Sequence, residues 1–416
     1  MKNEILSNLD NPGKLERLYR EDKLTFKREF SALYPELKDN LLITFWKERL
    51  APASEEISWG SSKDLLFVII VSLVAGIIAK VPAMFQIDEE WFYPRNISFI
   101  IFPALSAYFA WKNNLSAGKI LGIVGTMLAG LIFINSLPGI VDESDTLLLS
   151  CIHLGLFLWS ILGFAFVGQI QNDDEKRLRY LKYNGDLVVI TTLIVIAGII
   201  MTGVTIGLFS LIGLKIEKFY FEYVVVFGLP AAPIVGTYLI QANPQLVGKV
   251  SPVIAKIFSP LVLVMLVIYL IAMIYSGKDP YNDREFLLVF NALLIGVMAI
   301  IFFSVAETSR TKNQVEIWIL LLLSVVTIVV NGIALSAILF RISEWGITPN
   351  RAAVLGGNVL ILVNLLLVAV NLFKAMSKKG DINVNGVGKA IAFYLPVYCI
   401  WTVIVTFIFP LVFGFK

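Results

Sequence analysis

The chain has 416 residues, of which 57% are hydrophobic and 16% charged, with a formal net charge of +3. A soluble domain carries nearer ~25% charged residues, so composition excludes an ordinary water-soluble fold. Two cysteines, Cys151 and Cys399, and one histidine, His153, exclude a disulfide framework and a histidine-rich metal site; no cofactor is implied.

Residues 1–50 read as a small helical domain of three short amphipathic helices. Asn11 and Pro12 make a cap and first helical position. Leu15, Leu18 and Tyr19 then share one face, Phe26, Phe30 and Leu33 a second, and Leu37, Leu41 and Phe45, with Trp46 beside them, a third. Fifty residues make a marginal core, so a cytoplasmic protein partner or the loops of the same chain is expected to cover it. The segment lacks the basic head, short apolar run and cleavage site of a secretory signal, which leaves it outside the bilayer. Residues 51–63 read as a linker.

Residues 64–414 repeat apolar runs with short polar punctuation, the pattern of an all-α, polytopic transmembrane helix bundle. About 20 helical residues cross ~30 Å of hydrocarbon, and backbone groups deprived of water favour helices. About eleven spans are predicted, near 64–84, 96–111, 117–138, 146–170, 187–214, 222–242, 254–276, 286–305, 316–340, 352–373 and 390–414.

Basic residues fix the predicted orientation. With the N-terminus inside, inner loops hold Lys112, Lys119, Lys176, Arg177, Arg179 and Lys182, then Lys249, Lys256, Arg310, Lys312, Lys374, Lys378, Lys379 and Lys389. The outer side holds Lys80, Arg95, Lys215, Lys218, Lys278, Arg284, Arg341, Arg351 and Lys416. This asymmetry, together with the basic residues before the first span, follows the positive-inside rule. It predicts a multi-pass protein of a bacterial cytoplasmic membrane with its C-terminus outside.

The common enzyme motifs are absent. Gly386-Val-Gly388-Lys389 lacks the earlier glycine of a phosphate loop and is followed by Ala390 in place of Ser or Thr. One histidine cannot build a HExxH site, nothing around His153 marks a catalytic triad, and no basic stripe addresses nucleic acid. The reading leans away from an enzyme.

Polar residues within the spans carry the candidate chemistry. His153 lies ~12 Å, Asn291 and Asn358 ~10 Å, and Asn331 ~15 Å below the outer boundary at the helical rise. They form either a polar cavity open to the outside or interhelical hydrogen-bond glue. Asn364 and Asn371 share a face at greater depth. Lys80 either snorkels to the interface or fixes a positive charge. Pro103, Pro230 with Pro233, Pro260 and Pro396 interrupt spans, and their spacing hints at an inverted repeat with a five-helix offset. Gly118-xxx-Gly122 and Gly203-xxx-Gly207 are expected to pack against helices of the same chain.

The outer loop Arg341-Ile-Ser-Glu344-Trp345-Gly346-Ile-Thr348-Pro349-Asn350-Arg351 is the sharpest local motif. Thr348 and Pro349 start a helix. Arg341 and Arg351 flank Glu344, giving either an internally paired turn or a candidate anion contact. This motif resembles a signature of the bacterial membrane family catalogued as domain of unknown function 4153, and the layout of residues 64–414 is similar to that family's. The resemblance implies fold and membrane location but transfers no catalytic residue. The expected function is transport or export. The alternatives are a membrane scaffold or sensor recruiting a cytoplasmic partner through residues 1–50, and an intramembrane enzyme resting on Arg341, Glu344 and Arg351.

Overall fold

The computed structural model describes residues 2–9, 11–34, 41–50, 61–141, 143–168, 173–211, 214–244, 257–268, 270–271, 275, 281, 284–308, 314–377 and 385–415. No strand occurs among them. The chain divides into two compact units, Met1–Ser58 and Trp59–Lys416.

The first unit contains four described helices rather than three: α1 (Lys2–Leu6), α2 (Pro12–Glu21), α3 (Lys23–Leu33) and α4 (Leu41–Leu50). Asn11 caps α2 by accepting from the Lys14 amide at 3.1 Å, and Asp22 caps α3 by accepting from Thr25 at 3.0 Å. Ile5, Leu15, Phe26, Phe30, Leu33, Ile43, Trp46 and Leu50 form the core. The face predicted for the last helix is corrected. Phe45 is 63% exposed, and α4 buries Ile43, Trp46 and Leu50, at spacings of three and four. The Trp46 ring packs 5.1 Å from Phe26 and 5.7 Å from Tyr19, contacts that Phe45, one position round the helix, does not make. Leu37 and Pro35 lie outside the described residues.

The second unit is a polytopic helix bundle. Its elements are α5 (Ser62–Phe85), α6 (Glu89–Lys112), α7 (Ala117–Ser136), α8 (Asp145–Val167), α9 (Asp174–Leu211) and α10 (Glu217–Ala242). Then follow α11 (Ile257–Ile268), α12 (Arg284–Thr308), α13 (Gln314–Trp345), α14 (Pro349–Ser377) and α15 (Gly386–Val412). Eight of these are long and apolar enough to cross a membrane, among the described residues. Helices α11 and α12 contribute shorter apolar stretches, Ile257–Ile268 and Asn291–Ala306. Helix α6 falls outside the eight although it has 24 residues, ~36 Å of rise, because Arg95, Asn96, two prolines and two tyrosines dilute its apolar character. Large apolar side chains cover the outside of the bundle, among them Leu121, Ile132, Ile199 and Met201. A surface of that kind requires lipid.

Connections across loops gather the helix termini into two ends. At one end Lys112 pairs with Asp64 at 2.8 Å, and Asn113 donates to the Ala165 carbonyl at 3.0 Å. At the other, Arg95 donates to Gly139, Lys80 to Glu222, and Ser144 to Phe415. The interior splits into two large clusters and a small third one of Leu149, Ala353, Val405 and Phe409. The first is built mainly from α5 to α8, the start of α9, and α10; the second mainly from α12 to α15. Helices approach closely where glycine removes a side chain: a Cβ at Gly356 would run into Trp401 of α15.

Two expectations concerned helix packing. Among the described residues nothing lies within 4 Å of a Cβ built on Gly118, Gly122, Gly203 or Gly207, so no described helix packs against them there. They lie on α7 and the second half of α9, whose apolar side chains point outward. The prolines expected to mark a repeat sit in helices that differ locally. Helix α10 has a π-helical turn at Tyr220–Val225, before Pro230, whereas α15 has one at Ile404–Ile408, after Pro396.

Candidate functional site

Three of the four polar residues predicted to share a layer meet between α12, α13 and α14. Asn358 Nδ2 donates to Asn291 Oδ1 at 2.8 Å, and Asn331 Nδ2 donates to the Asn358 backbone carbonyl at 3.2 Å. Asn331 is 0% exposed and Asn358 is 3% exposed. His153 stands apart on α8, where its Nδ1 lies 2.9 Å from the Leu149 carbonyl of its own helix.

One atom of this layer is not accounted for by glue. Asn331 Oδ1 is buried with no hydrogen-bond partner. An interhelical hydrogen bond in a membrane contributes ~0.6 kcal/mol, whereas an orphaned buried acceptor costs ~1–3 kcal/mol. Asn331 as a purely adhesive residue therefore loses more than it gains. The same face of α13 carries Ser324 and Thr327, both 0% exposed. Their hydroxyls donate to their own helix, at 2.8 Å to Leu320 and 2.6 Å to Leu323, so their oxygens remain as acceptors.

A second polar contact lies further along α14. Asn364 Nδ2 donates to the Tyr398 hydroxyl at 3.1 Å, and that hydroxyl lies 3.3 Å from Met298 Sδ and 3.4 Å from the Leu360 carbonyl. Asn364 Oδ1 is also buried without a partner. Asn371, on the same predicted face as Asn364, donates to Leu367 of its own helix at 2.8 Å.

The loop between α13 and α14 is built as a helix junction. Gly346 takes the left-handed conformation, φ +75°, and its amide donates to Ile342 at 2.9 Å. Thr348 Oγ1 accepts from the Arg351 amide at 3.3 Å. The Arg351 guanidinium donates to the Trp345 and Gly346 carbonyls at 2.9 and 2.7 Å, closing the C-terminus of α13 where its dipole is negative. Arg341 and Arg351 lie 5.3 and 5.6 Å from the Trp345 ring. Glu344 is exposed.

Other buried polar groups escaped the sequence reading. Arg95, assigned to the outer side, is 1% exposed. It donates to Trp91 at 3.2 Å and Gly139 at 2.8 Å, with its guanidinium 4.9 Å from the Trp91 ring. Asn96 and Asn135 exchange reciprocal amide bonds, both 2.9 Å. The signal was the start of α6, which begins at Glu89 and carries Arg95 and Asn96 into the bundle. Asp186, 5% exposed, lies 3.8 Å from Lys182 one turn earlier on α9. Lys80 donates to the Glu222 carbonyl at 2.8 Å and sits 3.2 Å from the Tyr223 ring centre, fastening α5 to the π-helical turn of α10. Among the described residues no group of three His, Cys, Asp or Glu side chains can hold a metal ion.

Comparison with protein-family models, curated proteins and solved structures returned no match to this chain.

Proposed function

We propose that this protein moves a small polar solute across, or exports it from, a bacterial cytoplasmic membrane, with its N-terminus inside. The observation that supports this is the Asn291–Asn331–Asn358 layer, whose Asn331 acceptor has been carried into the bundle without a partner. Intramembrane polar groups that face protein or water mark solute pathways. The test begins from a chain in which Cys151 and Cys399 are replaced by alanine. Single cysteines at Asn331 and Asn358 are expected to react with a small charged thiosulfonate in membranes, while one at Leu365 stays protected. Protection at all three would make the interior dry and remove the solute path.

A second reading, a scaffold that recruits a cytoplasmic protein, is favoured by the compact helical unit Met1–Ser58, which leaves Phe45 exposed. We also propose membership of the family catalogued as domain of unknown function 4153, on the strength of the Arg341–Arg351 loop.

A further inference from the structure

We propose that the acceptor face of α13, centred on Asn331, binds a monovalent alkali cation of the sodium class; this rests on the transport reading and supplies its coupling ion. Ser324, Thr327 and Asn331 follow one another at spacings of three and four, and so line a single face over ~10 Å of helix. All three are 0% exposed. The hydroxyl hydrogens of Ser324 and Thr327 are spent on Leu320 and Leu323, and an Asn331 amide hydrogen is spent on the Asn358 carbonyl. What remains on these side chains is oxygen lone pairs, and Asn331 Oδ1 has no partner.

The chemistry of that donor set selects its ligand. Oxygen acceptors repel an anion and attract a hard cation. Asn291, Asn331, Asn358, Ser324 and Thr327 are all neutral, so a doubly charged ion would find no compensating charge, and desolvating it would cost more than these dipoles return. A singly charged ion loses less hydration and is satisfied by neutral oxygens, as carbonyl-lined ion sites in membranes are. The same argument assigns the unpartnered acceptor a purpose that packing alone does not supply.

The experiment uses the purified full-length chain in detergent, with no solute present. Melting is followed by tryptophan fluorescence in sodium chloride against choline chloride at equal ionic strength, and binding by radioactive sodium. The wild-type midpoint is expected to rise saturably with sodium. Asn331→Leu should lose that rise and melt in choline no lower than wild type, because the orphaned acceptor is gone. Thr327→Val should raise the half-saturating sodium concentration by about tenfold, because it removes one of the oxygen acceptors. Equal wild-type midpoints in sodium and choline, or a sodium response retained in Asn331→Leu, would overturn the proposal. If Asn331→Leu does not fold, an unchanged half-saturating concentration in Thr327→Val overturns it instead. Absent sodium binding with cysteines at Asn331 and Asn358 still reactive removes the ion and leaves the solute path standing.

Discussion

Arg177 of α9 donates to the carbonyl of Ala392 in α15 at 3.3 Å, and Ala392 is the residue whose helical donor is removed by Pro396, four positions on. The same solution recurs one half-helix later. Pro410 takes the donor from Thr406, and Ser150 of α8 replaces it at 2.9 Å. The breaks in α15 are thus closed by side chains from two other helices, and these carbonyls are not left to line a pathway.

Arg177→Met should therefore destabilise the bundle by about 1–3 kcal/mol, the cost of an unpaired buried carbonyl. In a Pro396→Ala background, where the backbone regains its own donor, the same substitution should cost clearly less. Thermal midpoints of the four members of this cycle check the coupling. Equal losses in both backgrounds would mean that Arg177 acts through its contact with Asp174, 4.0 Å away, rather than through Ala392.

Lys80→Met removes both the donor to Glu222 and the charge against the Tyr223 ring. A hydrogen bond to a charged group contributes ~1.5–3 kcal/mol and a cation–π contact ~0.5–2 kcal/mol. Tyr223→Leu should accordingly cost less than Lys80→Met. Hydrogen exchange should show faster opening confined to residues around the π-helical turn of α10. Uniform acceleration across the bundle would argue that Lys80 holds more than this junction.

Much of this architecture could be read before the structure. Hydropathy located the spans because the solvent itself enforces it, and reckoning depth at a fixed rise put Asn291, Asn331 and Asn358 within ~5 Å of one another in depth. The same reckoning failed for His153, because depth fixes a residue's height in the membrane and not the direction in which its helix points it. Arg95 was missed because a charge was assumed to end a span; in fact carbonyls of Trp91 and Gly139 hold it inside. Trp46 displaced Phe45 from the small core because aromatic contacts with Tyr19 and Phe26, distant in sequence, chose the face. No local pattern names Arg177 or Ser150 as the residue that adopts a carbonyl freed by proline.

The first unit should respond to acid through Glu16. Its carboxyl is held below the ordinary 4.5, chiefly by the hydrogen bond from Arg20, with Arg49 adding to it. Both arginines approach at 2.7 Å, so Glu16 ties α2 to α4. A lowered folded value means the contribution is complete above the unfolded value and fades as pH falls through the folded one. Exchange protection of α2 and α4 in the full chain should be constant near neutral pH and decline below about pH 4. Glu16→Gln should lower protection at neutral pH and reduce the decline. An unaltered decline would assign the acid sensitivity to other carboxylates.

The junction between α13 and α14 offers the most direct test of sidedness and of the role of Arg351 together. Gly346 holds φ +75°, a conformation that costs a residue with a side chain ~1 kcal/mol or more. Arg351 spends its charge on the Trp345 and Gly346 carbonyls. Gly346→Ala and Arg351→Ala should each lower the melting midpoint, and in combination they should fall short of the sum, because both act on the same helix terminus. A cysteine at Asn350 should be labelled by an impermeant maleimide in intact cells if the loop faces outward. Labelling only after lysis would reverse the proposed orientation. If Arg351→Ala leaves stability untouched but abolishes binding of anionic-lipid vesicles to the purified chain, the guanidinium serves a headgroup rather than the helix end.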